Sequence, residues 1–334
     1  MHNLIKKYIV AHLGGSDSEV PLEALDDAAV IGDIVLKPDS HAVKPIFFPG
    51  GDIGRLAVAG TINDIAVMGA EPIALSCGFV LEEGLQITDF EKILESMKQT
   101  CNEAGAYIIT GDTKVVEKGT LGGCVINTSG IGKRNDALER NIAEVKKYRS
   151  FDARWILDSN LREGDKIIIS GMVGDHGVAV LSAQEGYNFG SQIKSDVTPL
   201  NKLIIQLLNV GGIVTMKDPT RGGLSNALNE CSEKSKVGIL VQEDKIPIRE
   251  DVKAACEMLG IDPLEIGNEG KILIGVVREK AEEILSTLKK TKKGKGAQII
   301  GEATKQFMEV ALETQVGGKR ILAPPIGDPV PRIC

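Results

Sequence analysis

The sequence has few aromatic residues, no long apolar run and no excess of positive charge, and each of these absences excludes a class of protein. Lys and Arg number 39 against 46 Asp and Glu, which gives a formal net charge of -7. Affinity for nucleic acid comes mainly from clustered positive charge, so nucleic acid is not an expected partner. No apolar stretch reaches the roughly 18 residues of a membrane span, and the first residues lack the apolar core of a secretory signal. The sequence therefore predicts a cytoplasmic protein that does not enter a membrane.

Cysteine is also sparse, with six residues and no CxxC pair. In a chain of this length the pattern is typical of reduced thiols. Five of the six lie in apolar or helical surroundings, where a small buried side chain is the ordinary interpretation. Cys334 differs, because it is the last residue and follows a segment with four prolines.

The chain has enough apolar residues, 43% of 334, to bury a sizeable core, and its length favours two domains. Strand-like and helix-like segments alternate along it, which predicts an α+β or α/β enzyme. We place an N-terminal domain at residues 1–150, a C-terminal domain at 151–318 and an extended, mobile tail at 319–334. The boundary lies within the charged stretch 133–161, and residues 137–148 of this stretch are predicted to form a short helix.

Five polar clusters stand out, and four of them place an Asp beside a predicted strand end or turn. Carboxylates are hard oxygen ligands that suit Mg²⁺ or Ca²⁺, and backbone N–H groups next to glycine suit phosphate. Together the clusters predict a magnesium–nucleotide site, although a single Gly-Asp pair is more often only a turn. The clusters are Asp26–Asp27, Asp39–Ser40–His41, Asn63–Asp64, Gly111–Asp112–Thr113–Lys114 and Asp218–Pro219–Thr220–Arg221–Gly222–Gly223.

The fourth cluster, GDTK, is predicted as an acidic turn between strands at 106–110 and 122–130. The chain has no Walker A pattern, GxxxxGK[ST], and no GxGxxG follows its first predicted strand. A nucleotide would therefore be bound by a different arrangement from that of P-loop or dinucleotide-binding folds.

Two further residues could act as acids or bases. His176 lies in GMVGDHG, where a hydrogen-bonded structural role is the alternative to a base or ligand. Four scattered histidines predict no zinc cluster. Glu269 lies between glycines in a predicted turn, GNEGK, where its carboxylate can reach a ligand if the turn faces a cleft and is otherwise solvated.

Motifs along nearly the whole chain resemble, in the same order, those of the HypE family of hydrogenase maturation factors. They are the run from 40 to 76, TGDTKVV at 110–116, SGMVGDHG at 170–177, KDPTRGGL at 217–224, NEGK at 268–271 and the closing PRIC. This family belongs to a superfamily with aminoimidazole ribonucleotide synthetase, selenophosphate synthetase and thiamine-monophosphate kinase. The resemblance implies an α+β, two-domain PurM-like fold and a homodimer whose N-terminal domains pair strands into a shared barrel. It also implies that ATP is held between the two domains of each protomer.

The resemblance implies the chemistry as well. In the family, the partner HypF loads a carbamoyl group on the terminal cysteine, here Cys334, and ATP is used to dehydrate that carboxamide to a thiocyanate. The cyano group then passes to iron on the complex of HypC and HypD. Lys114 and Glu269 are candidates for charge stabilisation and proton removal, with His176 as a further candidate. The residues proposed to bind ATP are Asp27, Asp39, Asn63, Asp64, Asp112, Thr113, Asp218, Arg221, Gly222 and Gly223, and those proposed to hold Mg²⁺ are Asp27, Asp64, Asp112 and Asp218.

Two other interpretations compete with this one. Selenophosphate synthetase places its reactive Cys or selenocysteine near the N terminus, whereas the first cysteine here is Cys77. A carrier or scaffold would bind ATP without consuming it, so turnover separates it from an enzyme. One departure from the family is the charged stretch 135–155, which is longer than the link expected there and bears on the hinge between the domains.

Overall fold

Two β-sheets organise the protein, one in each half of the chain. The structure is a computed structural model, and it describes residues 4–186 and 193–327. Its strands are β1 (Ala29–Ile31), β2 (Ile34–His41), β3 (Phe47–Phe48), β4 (Gly51–Asp52), β5 (Glu71–Glu82), β6 (Tyr107–Val116), β7 (Cys124–Lys133), β8 (Lys166–Ile169), β9 (Ile213–Lys217), β10 (Gly238–Gln242), β11 (Leu273–Val276), β12 (Gln298–Thr304), β13 (Val310–Glu313) and β14 (Lys319–Ile321). The first sheet has the order β1-β2-β7-β5-β6, the second has the order β14-β13-β10-β12-β8-β11-β9, and β3 pairs with β4.

The helices pack against these sheets. A short helical segment, Ile5–Val10 and Ala11–Leu13, precedes them. The longer helices are α1 (Ile53–Val67), α2 (Ile87–Ala104), α3 (Asp136–Val145), α4 (Asp175–Glu185), α5 (Asn201–Val210), α6 (Gly223–Ser235), α7 (Glu250–Leu259) and α8 (Ala281–Lys289). In the described parts of the chain, no helix is both long enough and apolar enough to span a membrane.

The N-terminal sheet is antiparallel except for β5 and β6, which run parallel. The segment 28–36, predicted as one strand, is a hairpin, because Gly32 takes a φ of 61° and turns the chain between β1 and β2. The second of these strands continues to His41, five residues beyond the predicted end.

Helix α1 carries the core of the N-terminal domain. It begins where the Asp52 carboxylate accepts hydrogen bonds from the N–H groups of Gly54 and Arg55 at 2.7 and 3.1 Å, a standard N-cap. Nearly all of its residues are buried. It lies close to β7, where side chains at Gly130 and Gly132 would collide with Ile65. Small residues in the strand therefore allow the helix to pack directly on the sheet.

The C-terminal sheet is mostly antiparallel, with β10 and β13 parallel. Strands β8, β11 and β9, the last three in the strand order, are largely buried, as expected for strands covered on both faces. Strand β9 and helix α7 were not predicted, and β9 ends immediately before Asp218.

The stretch between the sheets is folded onto the C-terminal half. Its predicted helix is present as α3, and Asn141 on this helix exchanges two hydrogen bonds with the backbone of Ile213, at 2.7 and 2.8 Å. Trp155 is fully buried. The charge of this stretch thus lies on one outer face of an amphipathic segment.

The segment predicted as a mobile tail begins as part of the sheet. Strand β14 pairs with β13 at the edge of the C-terminal sheet, and Leu322, which follows, is buried. An edge position accommodates the nearby prolines, since they follow the strand and remove no hydrogen bond from it. Residues 328–334, including Cys334, lie outside the described residues.

Candidate functional site

An acidic cavity of about 760 Å³ lies between elements of the two halves. Asp64 on α1 and Asp27 before β1 come from the N-terminal half, and Asp218 and Glu269 come from the C-terminal half. Carboxylate oxygens of Asp27, Asp64 and Asp218 all lie within 4.8 Å of one another. Three residues that are far apart in the sequence thus converge at one point, which we call the acidic cluster.

The KDPTRGG motif forms one wall of this cavity. Asp218 follows the last residue of β9, and the chain then turns at Gly222 and Gly223, whose φ values are 75° and 60°. A side chain at Gly223 would lie 2.5 Å from the carbonyl oxygen of Ile266, so only glycine fits. Helix α6 starts here, and Arg221, Gly222 and Gly223 line the cavity. A helix start beside a glycine turn is a favourable place for phosphate.

Two lysines that the sequence analysis did not single out are bound to the acidic cluster. The Lys37 ammonium lies 2.9 Å from Asp64 Oδ2. The Lys217 ammonium lies 2.5 Å from Asp27 Oδ1, 3.1 Å from Asp158 and 3.0 Å from Glu230. The sequence held a signal for the first, because Lys37, Asp39 and His41 alternate along β2 and share one face.

The acidic cluster carries more negative charge than these lysines balance. Burial raises the pKa of Asp27 to about 7, although Lys217 opposes the shift. Burial, followed by the charges of neighbouring carboxylates, raises the pKa of Asp218 well above its ordinary value. Asp27 Oδ2 is buried without a hydrogen-bond partner in the described structure. An unpartnered carboxylate oxygen among repelling carboxylates is the arrangement that a hard divalent cation stabilises, so these residues fit Mg²⁺.

Asp39 lines the same cavity beside a histidine. Its carboxylate lies 3.2 Å from Nε2 of His41. Burial favours a higher pKa for Asp39, but the charges of His41 and Lys37 outweigh burial and hold the pKa below its usual range. Gly60 on α1 leaves the room for this pair, since a Cβ there would lie 2.9 Å from His41 Nε2.

Asn63, predicted as a nucleotide contact, instead joins the two halves of the chain. Its side-chain N–H groups donate to the carbonyl oxygens of Thr198 and Glu269 at 3.1 and 3.3 Å. Its side-chain oxygen accepts from the N–H of Leu200 at 2.8 Å. The side chain therefore fixes Asp64, the next residue, relative to Glu269.

Glu269 is buried and lines the cavity. Burial and then the nearby charges of Asp196, Asp39 and Asp64 raise its pKa well above the ordinary value. Asp196 also holds the surrounding turn, because it accepts from the Glu269 N–H at 3.1 Å and lies 2.8 Å from the Lys271 ammonium. Of the two interpretations of Glu269, the structure thus favours a group that faces the cleft over one in a solvated turn.

His176 does not line the cavity. It is fully buried on α4, with Nδ1 2.8 Å from the Ser195 hydroxyl oxygen and its ring edge-on to Phe48 at 5.5 Å. These contacts match the structural alternative considered for it.

The GDTK residues were predicted to form a turn, but they lie within strand β6. This strand is continuous from Tyr107 to Val116 and lies at the edge of the N-terminal sheet. Asp112, Thr113 and Lys114 are exposed and do not line the acidic cavity of their own chain. The apolar residues on both sides of GDTK are typical of a strand. The polar residues between them are also typical of a turn, so the sequence alone did not show that the strand continues through the motif.

Comparison with known proteins gives the same fold throughout. The N-terminal domain of the AIR synthase related protein family matches residues 25–133, and its C-terminal domain matches residues 162–312. The carbamoyl dehydratase HypE of Azotobacter vinelandii is 44% identical over 305 residues, which cover 91% of this chain and 85% of that protein.

Two solved structures are similar over nearly the full length. A crystal structure of a HypE–HypF complex matches with a TM-score of 0.87 and 44% identity, covering 96% of this chain and 99% of that one. A crystal structure of the hydrogenase maturation protein HypE in complex with ATP matches with a TM-score of 0.82 and 40% identity, covering 100% and 96%.

Proposed function

This chain belongs to the HypE family of carbamoyl dehydratases, and from that premise we propose that it uses ATP to dehydrate the carboxamide on its own Cys334 to a thiocyanate. The product supplies the cyanide ligand of a NiFe-hydrogenase iron centre. The observation that carries the proposal is the acidic cluster of Asp27, Asp64 and Asp218, which lies beside the glycine turn at the start of α6.

The reaction needs a better leaving group than an amide oxygen. Transfer of the γ-phosphoryl group of ATP to the carboxamide oxygen forms a new O–P bond and releases ADP. The C–O bond then breaks, the oxygen leaves as part of phosphate, and the nitrogen loses two protons as the C≡N bond forms. One ATP is consumed for each thiocyanate, and no oxidant or reductant is needed.

We propose that Glu269 accepts a proton from the carboxamide nitrogen. Its carboxylate is buried at the cavity, and its raised pKa moves it toward the range in which a carboxylate is an effective base. Arg221 and the N–H groups at the start of α6 would bind the phosphates. Lys114 is retained as a candidate for charge stabilisation, at a site to which a second chain would bring it.

We propose that Mg²⁺ is held by Asp27, Asp64 and Asp218, with Asp112 as the fourth ligand implied by the family resemblance. When bound, the ion would neutralise charge on the phosphates. The chain's own part is to hold these carboxylates near one another, which it does through Lys37, Lys217 and the Asn63 contacts.

The partners are proposed on the same basis. A HypE relative has been crystallised with HypF, which supports HypF as the carbamoyl donor to Cys334. We also propose a homodimer formed through the N-terminal sheets and transfer of cyanide to a HypC–HypD complex. The described cysteines, Cys77, Cys101, Cys124, Cys231 and Cys256, are free and buried, which suits the reducing cytoplasm.

Intact-protein mass spectrometry tests the function. After carbamoylation by HypF, the wild-type chain should lose the mass of one water only when ATP is added. Cys334→Ala should bind ATP normally but accept no carbamoyl group. ATP binding with no loss of water from the carbamoylated wild type would favour the scaffold interpretation and overturn the proposal.

A further inference from the structure

The backbone of Leu322 and Ala323, near the end of the described chain, is hydrogen-bonded to helix α6. The N–H of Leu322 donates to the carbonyl oxygen of Val310 at 2.8 Å. The carbonyl oxygen of Leu322 accepts from Asn229 Nδ2, and that of Ala323 accepts from the Ser225 hydroxyl, both at 2.8 Å. Both donors lie on α6, one helical turn apart, so they hold two successive peptide units of the tail.

The same helix begins at the glycine turn of the acidic cavity. The residues that follow Ala323 continue along this helix to the cavity. Pro324, Pro325, Ile326 and Gly327 all line it. A Cβ at Gly222 would lie 3.0 Å from the Pro325 ring, which means that the tail crosses the KDPTRGG motif where a side chain is missing.

The buried Ser225 hydroxyl forms its hydrogen bond with the tail. Ser225 is fully buried, and a buried hydroxyl is costly unless it forms a hydrogen bond. The partner that it has is the carbonyl oxygen of Ala323 in the tail. Asn229 likewise divides its amide between the carbonyl oxygens of Ser225 and Leu322, both at 2.8 Å.

We propose that Ser225 and Asn229 are positioning residues that anchor the base of the tail and direct its terminal segment into the acidic cavity. This role rests on the proposed function, in which the tail carries the substrate. Nine residues follow Pro325, and a chain of that length spans at most about 30 Å. Without the anchor, the tail is held only as far as Leu322, whose N–H donates to Val310, and twelve residues follow Leu322. The anchor thus raises the concentration of Cys334 at the cavity.

The double variant Ser225→Ala/Asn229→Ala tests this proposal in the carbamoylated full-length protein. We expect single-turnover loss of water from Cys334 to slow by about tenfold, while ATP affinity measured by calorimetry stays at the wild-type value. Trypsin should cleave faster after Lys319 and Arg320. Asn102→Ala, at an exposed position of α2, is the matched control and should change neither rate.

A reaction in trans separates positioning from damage to the cavity. A carbamoylated peptide of residues 326–334 lacks the anchored carbonyl groups. It should be dehydrated equally fast by Cys334→Ala and by the triple variant that adds Ser225→Ala and Asn229→Ala. Slowing in trans as well as in cis, or a wild-type rate in cis, would overturn the anchor. If the wild type itself does not dehydrate its tail, the proposed function fails, and the anchor is then judged by trypsin alone, where unchanged cleavage overturns it.

Discussion

The acidic cluster and the exposed edge strand β6 were predicted from the same kind of motif, yet the structure treats them differently. Asp27, Asp64 and Asp218 are brought within 4.8 Å of one another in a single chain. Asp112 and Lys114 lie on an unpaired strand edge, exposed to solvent. The first region is assembled by the fold of one chain, whereas the second is not.

The exposed apolar residues of β6 indicate that this edge strand needs a pairing partner. Tyr107, Ile109 and Val115 on this strand are 54%, 71% and 64% exposed. A long apolar edge strand is a liability in a monomer, because its free N–H and C=O groups pair readily with another strand. This exposed edge fits the homodimer proposed above, in which a second copy of the chain pairs with β6 and the GDTK residues act at the partner's cavity.

The largest expected effect is at the acidic cluster. Asp64→Asn keeps the shape of the side chain but removes a charged ligand oxygen, so Mg-ATP affinity should fall by roughly a hundredfold. Calorimetry with and without Mg²⁺ measures this, and the loss should be confined to titrations with the metal. Equal affinity in Asp64→Asn and wild type would show that the cluster is not the metal site.

A second large effect is expected at Glu269. Glu269→Gln removes the basic oxygen without changing the shape of the turn, so dehydration of the carbamoylated tail should slow by roughly a hundredfold. ATP binding should change little. The rate of water loss from Cys334 checks the first statement, and a wild-type rate would leave Glu269 with a structural role only.

Mixing two inactive variants tests the contrast between the regions directly. If Asp112 serves the cavity of the partner, a dimer of one Asp112→Ala chain and one Asp64→Asn chain contains one complete site. Statistical mixing should then restore about one quarter of the wild-type activity. No restoration, despite proven exchange of chains, would mean that Asp112 acts within its own chain. An active Asp112→Ala homodimer would mean that Asp112 takes no part in the reaction.

Features of the fold that depend on neighbouring residues could be predicted from the sequence, whereas those that depend on distant residues could not. Apolar spacing alone predicts a helix over 54–68, and α1 spans Ile53–Val67, because such spacing is a local property of the sequence. The hairpin at Gly32 and the continuous strand β6 were misread, because there the polar or glycine residues could be assigned either to a turn or to a strand. Strand β9 was missed, although it positions Asp218.

The acidic residues of the candidate site could be predicted from the sequence, but the lysines that pair with them could not. Runs such as DPTRGG mark acidic turns by themselves, so Asp218 and its glycines could be found. Lys217 is paired with Asp27, 190 residues away, and with Asp158, and no local pattern reports such contacts. The role of Asn63 as a clip between the halves is hidden for the same reason, since its partners lie at 198–200 and 269.

The smallest expected effect is a dependence of stability on pH that belongs to the cluster and not to the β6 edge. Burial raises the pKa of Asp27 from 3.8 to about 7, against the opposing charge of Lys217. Between these values the folded chain holds a proton that the unfolded chain has lost, so folding takes up protons and stability falls as pH rises. The full contribution is present below about pH 4, and it is lost once the pH passes about 7.

Thermal or urea denaturation of the metal-free, nucleotide-free protein from pH 5 to pH 8 measures this dependence. Asp27→Asn removes the titrating group, so its stability should fall less over this range than that of the wild type, by roughly 2 kcal/mol. Glu117→Gln removes a carboxylate just beyond the exposed edge strand β6 and should keep the wild-type slope. Saturating Mg²⁺ should reduce the wild-type slope, because the ion binds the ionised carboxylates in place of protons. If Asp27→Asn and Glu117→Gln had the same slope, the two regions would not differ in electrostatic strain, and the charge excess assigned to the cluster would be wrong.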